Sequence, residues 1–291
     1  MNIQEFAERV RADVTAILGK EVHIHKSLKL NGLRLMGLTI TDHSTNIAPT
    51  IYLDPYFHKF KETGNWPGII SDIINTYRHY SLCQRFDMDW FRDFDRVKEK
   101  IFYRLINYEA NKELLEQMPY TRFLDFAKVF CIQYQIDDIG SGTISIYNNH
   151  LDTWGISSAE LEAIAETNTP LLFQPKVSTI ADTLKDIPII SPDDFEDLPP
   201  IHVLTNTKNI NGASAICYPN ILRDFSNERE TDILILPSSI HDVILIPWEE
   251  NLNVEHFRDM VSDVNSTLDP TEILSRNVYL YRRGTGQIEI A

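Results

Sequence analysis

Val22-His23-Ile24-His25-Lys26-Ser27-Leu28-Lys29-Leu30, then Asn31-Gly32, then Leu33-Arg34-Leu35-Met36-Gly37-Leu38-Thr39-Ile40 reads as strand, turn, strand. Asn-Gly between two apolar or alternating runs is a strong short-range hairpin signal, because both turn residues must accept positive φ. Two antiparallel strands therefore stand near the start of the chain. A helix precedes them, since Phe6, Val10, Val14, Ile17 and Leu18 recur at three- and four-residue spacing. A third strand is expected at Thr50 to Leu53, stopped by Asp54-Pro55.

Further along, Pro67 opens a helix at a position where its missing N–H costs nothing, with Ile69, Ile70, Ile73, Ile74 and Tyr77 as the buried stripe. Residues 101–107, 122–134 and Thr143 to Tyr147 read as strands. Ser157 and Glu160 form a Ser-x-x-Glu capping box for a helix to about Asn168. Strands are expected at 201–205, 213–217, 232–236, 243–246, 277–281 and 286–290. Pro219 opens a short helix through Leu222, and a helix over 253–265 buries Val254, Phe257, Val261 and Val264. Helices interspersed with strands that are joined by short turns favour an α+β fold with largely antiparallel sheets over a doubly wound one. Residues 185–200 hold four prolines and five acids, a composition that breaks regular structure. That stretch is the candidate linker or long loop between an α+β region over 1–184 and another over 201–291, which can equally form one continuous domain.

The 291 residues are 43% hydrophobic, enough for one large or two modest cores. No apolar run reaches the length of a membrane span, and Met1 to Lys20 reads as an amphipathic helix, not a secretory leader. Cys83, Cys131 and Cys217 are odd in number and widely separated, which points to free thiols in a reducing, cytoplasmic compartment. The net charge of −15 falls almost wholly in the second half, since residues 151–291 hold 9 Lys+Arg against 23 Asp+Glu. Such a surface repels nucleic-acid phosphates and anionic lipid, so direct nucleic-acid or membrane binding is not expected. It can attract a basic protein partner.

Several segments resemble a bacterial domain-of-unknown-function family, found mainly in anaerobic Gram-positive bacteria and often on mobile elements. They are Asn31-Gly32-Leu33-Arg34-Leu35-Met36-Gly37-Leu38-Thr39-Ile40, Asn46-Ile47-Ala48-Pro49-Thr50-Ile51-Tyr52-Leu53, Trp154-Gly155-Ile156-Ser157 with Asn168-Thr169, Asn211-Gly212-Ala213, Leu236-Pro237-Ser238-Ser239-Ile240-His241, and Val278-Tyr279-Leu280-Tyr281-Arg282. The resemblance spans most of the chain. The family's pattern places Glu after the motif histidine, where this chain has Asp242. It implies no activity and no cofactor.

The richest chemistry lies in Leu236-Pro237-Ser238-Ser239-Ile240-His241-Asp242-Val243-Ile244-Leu245-Ile246-Pro247, where four polar side chains sit between two apolar runs. Ser239 and His241 are the candidate catalytic residues, as nucleophile and base. If 239–243 is extended, they share one face while Ser238 and Asp242 take the other, so a carboxylate from elsewhere must orient the ring. The competing reading is a turn in which the hydroxyls satisfy backbone groups and His241 pairs with Asp242. Ser238, Asp242, Asn211 and Arg282 are the candidate binding residues.

Other motifs read structurally first. His23 and His25 share a strand face that could hold a metal only with further ligands, and Asp42-His43 and His58 are the nearest in sequence, so no metal site is expected. Arg283-Gly284-Thr285-Gly286 is a hairpin turn, too short for a phosphate loop. Phe86 to Phe94 mixes acids with aromatics, as a helix start or a docking element. Asp137-Asp138 and Asp193-Asp194 lack the spacing of a calcium loop. The expectation is a protein without a cofactor that acts by non-catalytic interaction or regulation through its acidic C-terminal half; the alternative is a hydrolase using Ser239 and His241.

Overall fold

The computed structural model describes residues 1–42, 46, 48–81, 86–136, 140–180, 182 and 201–291. The candidate linker 185–200, Cys83, His43 and the pairs Asp137-Asp138 and Asp193-Asp194 lie outside the described residues. The chain divides into two compact units, Met1–Phe91 and Arg92–Ala291. Both combine helices with antiparallel sheet, and the fold class is α+β.

In the first unit, helix α1 (Ile3–Leu18) starts at a capping box in which the Asn2 side chain accepts the Glu5 N–H. It stops at Gly19, whose φ of 63° suits a residue without Cβ. Strands β1 (Glu21–Leu28) and β2 (Arg34–Thr41) pair in the expected hairpin, and Asn31 and Gly32 both adopt positive φ. Strand β3 (Thr50–Tyr52) adds to β2, giving the order β1-β2-β3. Asp54-Pro55 does more than stop that strand, because it opens helix α2 (Asp54–Thr63). Proline in a first helical turn loses no hydrogen bond, and the Asp54 carboxylate also accepts the Met36 N–H at 2.8 Å. Helix α3 (Trp66–Ser81) buries Ile69, Ile70, Ile73, Ile74 and Tyr77, as the periodicity predicts. The three helices enclose a core in which the Phe6 ring meets Phe57 at 5.2 Å and Trp66 at 5.4 Å.

Short helices α4 (Met88–Arg92) and α5 (Phe94–Val97) lead to strand β4 (Ile101–Asn107). After α6 (Lys112–Leu115) the expected strand 122–134 is two strands, β5 (Tyr120–Phe123) and β6 (Phe126–Ile136), broken at Leu124 with φ of 56°. Strand β4 lines one side of β6, while β5 and then β7 (Gly140–Ser145) lie end to end along the other. Helices α7 (Asn148–Trp154) and α8 (Ser158–Leu172) follow, the latter opened by the Ser157–Glu160 capping box.

The second sheet of this unit has the order β13-β12-β10-β11-β9-β8 and is antiparallel throughout. Its strands are β8 (Pro175–Thr179), β9 (His202–Asn206), β10 (Ile233–Pro237), β11 (Val243–Pro247), β12 (Tyr279–Arg282) and β13 (Gln287–Ile290). Strands β8 and β9, which flank residues 185–200, are hydrogen-bonded neighbours. Helix α9 covers Ile221–Arg229. Helix α10 (Val254–Thr267) packs Phe257 and Val261 on Leu234, Leu236, Ile246 and Leu280. The expected strand 213–217 is instead a 3-10 helix over Gly212–Cys217. A short run of buried apolar residues carries no periodicity that separates the two conformations.

The outer edge of β4 is closed by side chains. The Tyr103 N–H donates to Thr169 Oγ1 at 3.0 Å and the Leu105 N–H to Ser214 Oγ at 3.1 Å. Asn168 Nδ2 donates to the carbonyls of Lys98 and Ile101. An open strand edge exposes a row of unpaired amides and carbonyls; here α8 and the 3-10 helix take them up.

Candidate functional site

The apolar runs on either side of Ser238–Asp242 form a tight ladder from Ile233↔Pro247 to Pro237↔Val243. The five residues between are a loop, so strand alternation does not govern them. The N–H groups of Ser238 and Ser239 both donate to the Asp242 carbonyl at 3.3 Å. Ser239, 7% exposed, accepts the His241 N–H at 2.9 Å and donates its hydroxyl proton to Asp242 Oδ1 at 3.2 Å. Short polar side chains close turns in this way.

The His241 ring faces a different segment. Its Nδ1 accepts the Asn211 N–H at 3.1 Å, so the neutral ring carries its proton on Nε2. Nε2 lies 3.6 Å from Glu272 Oε1, beyond hydrogen-bond length but within ion-pair reach. Ser239 and His241 thus meet through a main-chain N–H and not through the ring, and His241 is paired with Asn211 and Glu272, not with Asp242. The same loop is pinned elsewhere. The His241 carbonyl accepts the Thr205 hydroxyl at 2.8 Å, Ile240 donates to the Glu272 carbonyl at 2.9 Å, and Ala213 donates to the Ile240 carbonyl at 3.3 Å. Gly212 allows this approach: a Cβ there would sit 2.3 Å from Thr205 Oγ1 and 2.4 Å from the His241 carbonyl oxygen.

A family-model comparison matches residues 3–283 to a family of unknown function, DUF5688. The chain belongs to this family. No curated protein and no solved structure matches it. Two of the segments that carry the family resemblance, Asn211-Gly212-Ala213 and Leu236 to His241, are the two halves of the contact just described. A third, Asn168-Thr169, closes the β4 edge. No helix among the described residues is long and apolar enough to cross a membrane.

The remaining sequence candidates of this DUF5688 chain are held in the sheets. Arg282 pairs with Glu289 at 2.7 Å and Asp232 at 3.1 Å, which fastens the β12–β13 hairpin to the start of β10. The Arg283–Gly286 segment is a turn closed by Gly286 N–H on the Arg282 carbonyl at 2.7 Å. The His25 ring lies over Gly37, and His23 Nε2 is 3.3 Å from Glu21. Among the described residues no three His, Cys, Asp or Glu side chains are grouped to hold a metal ion. In the Phe86 to Phe94 segment Asp87 and Asp93 cap helix starts and Phe91 is buried.

Two features escape the sequence reading. Asp125 accepts three hydrogen bonds, from the Tyr279 hydroxyl at 2.5 Å, the Ser275 hydroxyl at 2.8 Å and the Asn277 amide at 3.0 Å. Burial, with that carboxylate beside it, pushes the Tyr279 phenol up, so it stays a donor. The second is a cavity of about 570 Å³ between β6, the end of the 3-10 helix, α9 and the β12–β13 hairpin. Cys217 and Tyr218 lie in its wall, with Lys128 and Arg223. Lys128 Nζ is 2.6 Å from Glu166, and it lies 5.1 Å from the Tyr103 ring centroid. Burial pushes the Cys217 thiol up to about 12, so it is a protonated, unreactive wall group at neutral pH. The only sequence signal for this region is Pro219-Asn220 ahead of a helix.

Proposed function

We propose that the protein is a non-catalytic interaction module and that the outer face of α10 is where it engages a basic partner. The observation carrying this reading is the chemistry of that face. Glu255, Asp259 and Asp263 stand four residues apart and form one exposed row, with Met260 (42% exposed) and Val264 (41% exposed) beside them. Arg258 pairs with Glu255, whereas Asp259 and Asp263 have no ion-pair partner among the described residues. The unit that carries the helix is strongly acidic. Met1–Phe91 has ten Lys+Arg and ten Asp+Glu, which leaves 17 of the 27 bases and 32 of the 42 acids, and the whole net −15, to Arg92–Ala291. An acidic row flanked by apolar side chains complements an amphipathic basic segment, with the charges steering encounter and the apolar contact holding it.

The test is affinity capture of the intact chain from the cells that make it, at about 50 mM and about 500 mM salt, where screening differs several-fold. A basic protein retained at low salt, released at high salt and lost with the Asp259→Asn/Asp263→Asn double variant is the expected result. Capture that ignores both salt and the double variant overturns the reading.

The alternative, a hydrolase using Ser239 and His241, draws on one observation: Glu272 supplies a carboxylate beside the ring. It is the weaker reading, because the Ser239 proton is directed at Asp242 and the basic nitrogen of the ring is taken by Asn211. Labelling of Ser239 by a fluorophosphonate probe would select it.

A further inference from the structure

Strand β3 ends the sheet of the first unit, and its free edge faces a groove. Leu53 donates its N–H to the Met36 carbonyl of β2 at 2.8 Å, and Ile51 is the register partner of Leu38. Backbone groups alternate in direction along a strand, so the N–H and C=O of Thr50 and Tyr52 point away from β2. Among the described residues neither main chain makes a hydrogen bond on that side. An open edge is a template for another strand. In the second unit Thr169 and Ser214 close the edge of β4, whereas no side chain takes up the amides of Thr50 and Tyr52. Beyond this edge lies a groove of about 360 Å³, walled by Tyr56 of α2 and by Thr76 and Tyr80 of α3. The Tyr56 hydroxyl and Thr76 Oγ1, 2.8 Å apart, tie the two helices of that wall together. Tyr80, 51% exposed, stands at the rim. Lys29 lies over the Tyr52 ring, 4.3 Å from its centroid, and has no ion-pair partner among the described residues.

We propose that this groove takes an extended peptide of a partner protein, which adds to β3 as a fourth, antiparallel strand. Thr50 and Tyr52 each offer the peptide backbone an N–H donor and a carbonyl acceptor. In strand addition of this kind main-chain pairing gives affinity and side-chain pockets give choice. Directly opposed residues share a face of the sheet. The peptide residue opposite the buried Ile51 therefore lies on the helix side, against Tyr56, Thr76 and Tyr80. An apolar or aromatic side chain suits that place. The residue opposite Tyr52 emerges on the other face, beside Lys29, where an acidic side chain completes an ion pair. Because the added strand runs antiparallel, the acid immediately precedes the apolar residue in the peptide. No residue of the α10 face takes part, so this proposal and the interaction reading stand or fall separately.

Random dodecapeptides displayed on phage and panned against the intact chain test it, with enriched sequences synthesised, labelled and titrated by fluorescence anisotropy. Enriched peptides should share the acid–apolar step and saturate a single site. Their binding should weaken as salt rises, because one contact is an ion pair. Thr50→Pro removes an outward N–H and leaves the ladder with β2 intact, a position at which a strand tolerates proline. Binding should then fall at least ~10-fold, whereas Thr50→Val, which keeps the N–H, should stay within about 3-fold of the parent. Tyr80→Ala strips the groove wall at an exposed position and should weaken binding by about 10-fold without lowering the melting temperature. Lys29→Ala should weaken it by about 3-fold and flatten the salt dependence. No enriched peptide, or peptides that bind the Thr50→Pro and Tyr80→Ala chains as tightly as the parent, overturns the proposal. Peptides lost with Asp259→Asn/Asp263→Asn and not with these variants belong to the acidic helix face and equally count against the groove.

Discussion

The hydroxyl of Thr169 accepts the backbone N–H of Tyr103 at 3.0 Å and donates its own proton to the Ala165 carbonyl at 2.5 Å. One side chain of α8 thereby takes one rung of the strand that β4 lacks at its outer edge, with Asn168 and Ser214 taking others. Thr169→Val keeps the shape and removes the oxygen, stranding a buried amide. The expected loss is about 1–3 kcal/mol, read by denaturant unfolding. Thr169→Ser should retain most of the stability; equal stability of the Val variant and the parent would refute this role.

Gly212 is the tightest backbone approach beside the His241 loop. Gly212→Ala places a methyl group against Thr205 Oγ1 and the His241 carbonyl, both backed by sheet. Overpacking of this kind costs about 1–3 kcal/mol or more. The melting temperature should fall clearly, and the Asn211–His241 bond should weaken, visible as a shift of the Asn211 amide resonance.

Asp125 joins the β5–β6 turn to the segment entering β12. Asp125→Ala removes the acceptor of the Ser275 hydroxyl and the Asn277 amide and leaves the Tyr279 hydroxyl with Ser275 Oγ alone, at 2.6 Å, and should destabilise by on the order of 3 kcal/mol, since hydrogen bonds to a charged group are the stronger kind. Tyr279→Phe removes one of the three and should cost about 1 kcal/mol. A Tyr279→Phe loss as large as that of Asp125→Ala would show that packing, not hydrogen bonding, dominates there.

Burial lowers the pKa of His150, whose Nδ1 accepts the Tyr147 N–H at the start of α7. The folded state therefore takes up this proton less readily than the unfolded one. The stabilising contribution is complete above the ordinary histidine value of about 6.5 and is lost as pH falls from there toward the lowered folded value. His150→Gln, which can accept the same N–H without titrating, should flatten the stability profile below about pH 6.5. Equal acid slopes for the variant and the parent would remove His150 as the cause.

The parts of the fold legible in the sequence are those where one residue type answers one geometric demand. Asn31-Gly32 met the need for two positive φ values, Ser157 and Glu160 the need for a helix cap, and the isoleucines of α3 the spacing of a buried face. Illegible were features set by distant partners. The 213–217 run is apolar whether helical or extended, and the groups it meets in the fold, the Leu105 amide on Ser214 and the Ile240 carbonyl on Ala213, lie far off in sequence. The polar loop at Ser238–Asp242 could be read as a turn, because its hydroxyls act locally. That the His241 ring is claimed by Asn211, thirty residues upstream, could not. The cavity draws on residues between Phe123 and Ile288 from six elements, and nothing local marks them as neighbours.

Strands β8 and β9 are joined edge to edge up to Thr179 and His202, and the next rung is the Ile180 N–H on the Ile201 carbonyl at 3.0 Å. The chain thus leaves the sheet and re-enters it through a single doorway. Whatever the length of peptide between those two points, the door frame is the same. The hydrogen bonds that close this door frame belong wholly to the described strand ends, so the pairing of β8 with β9 does not draw on the acidic, proline-bearing sequence between them.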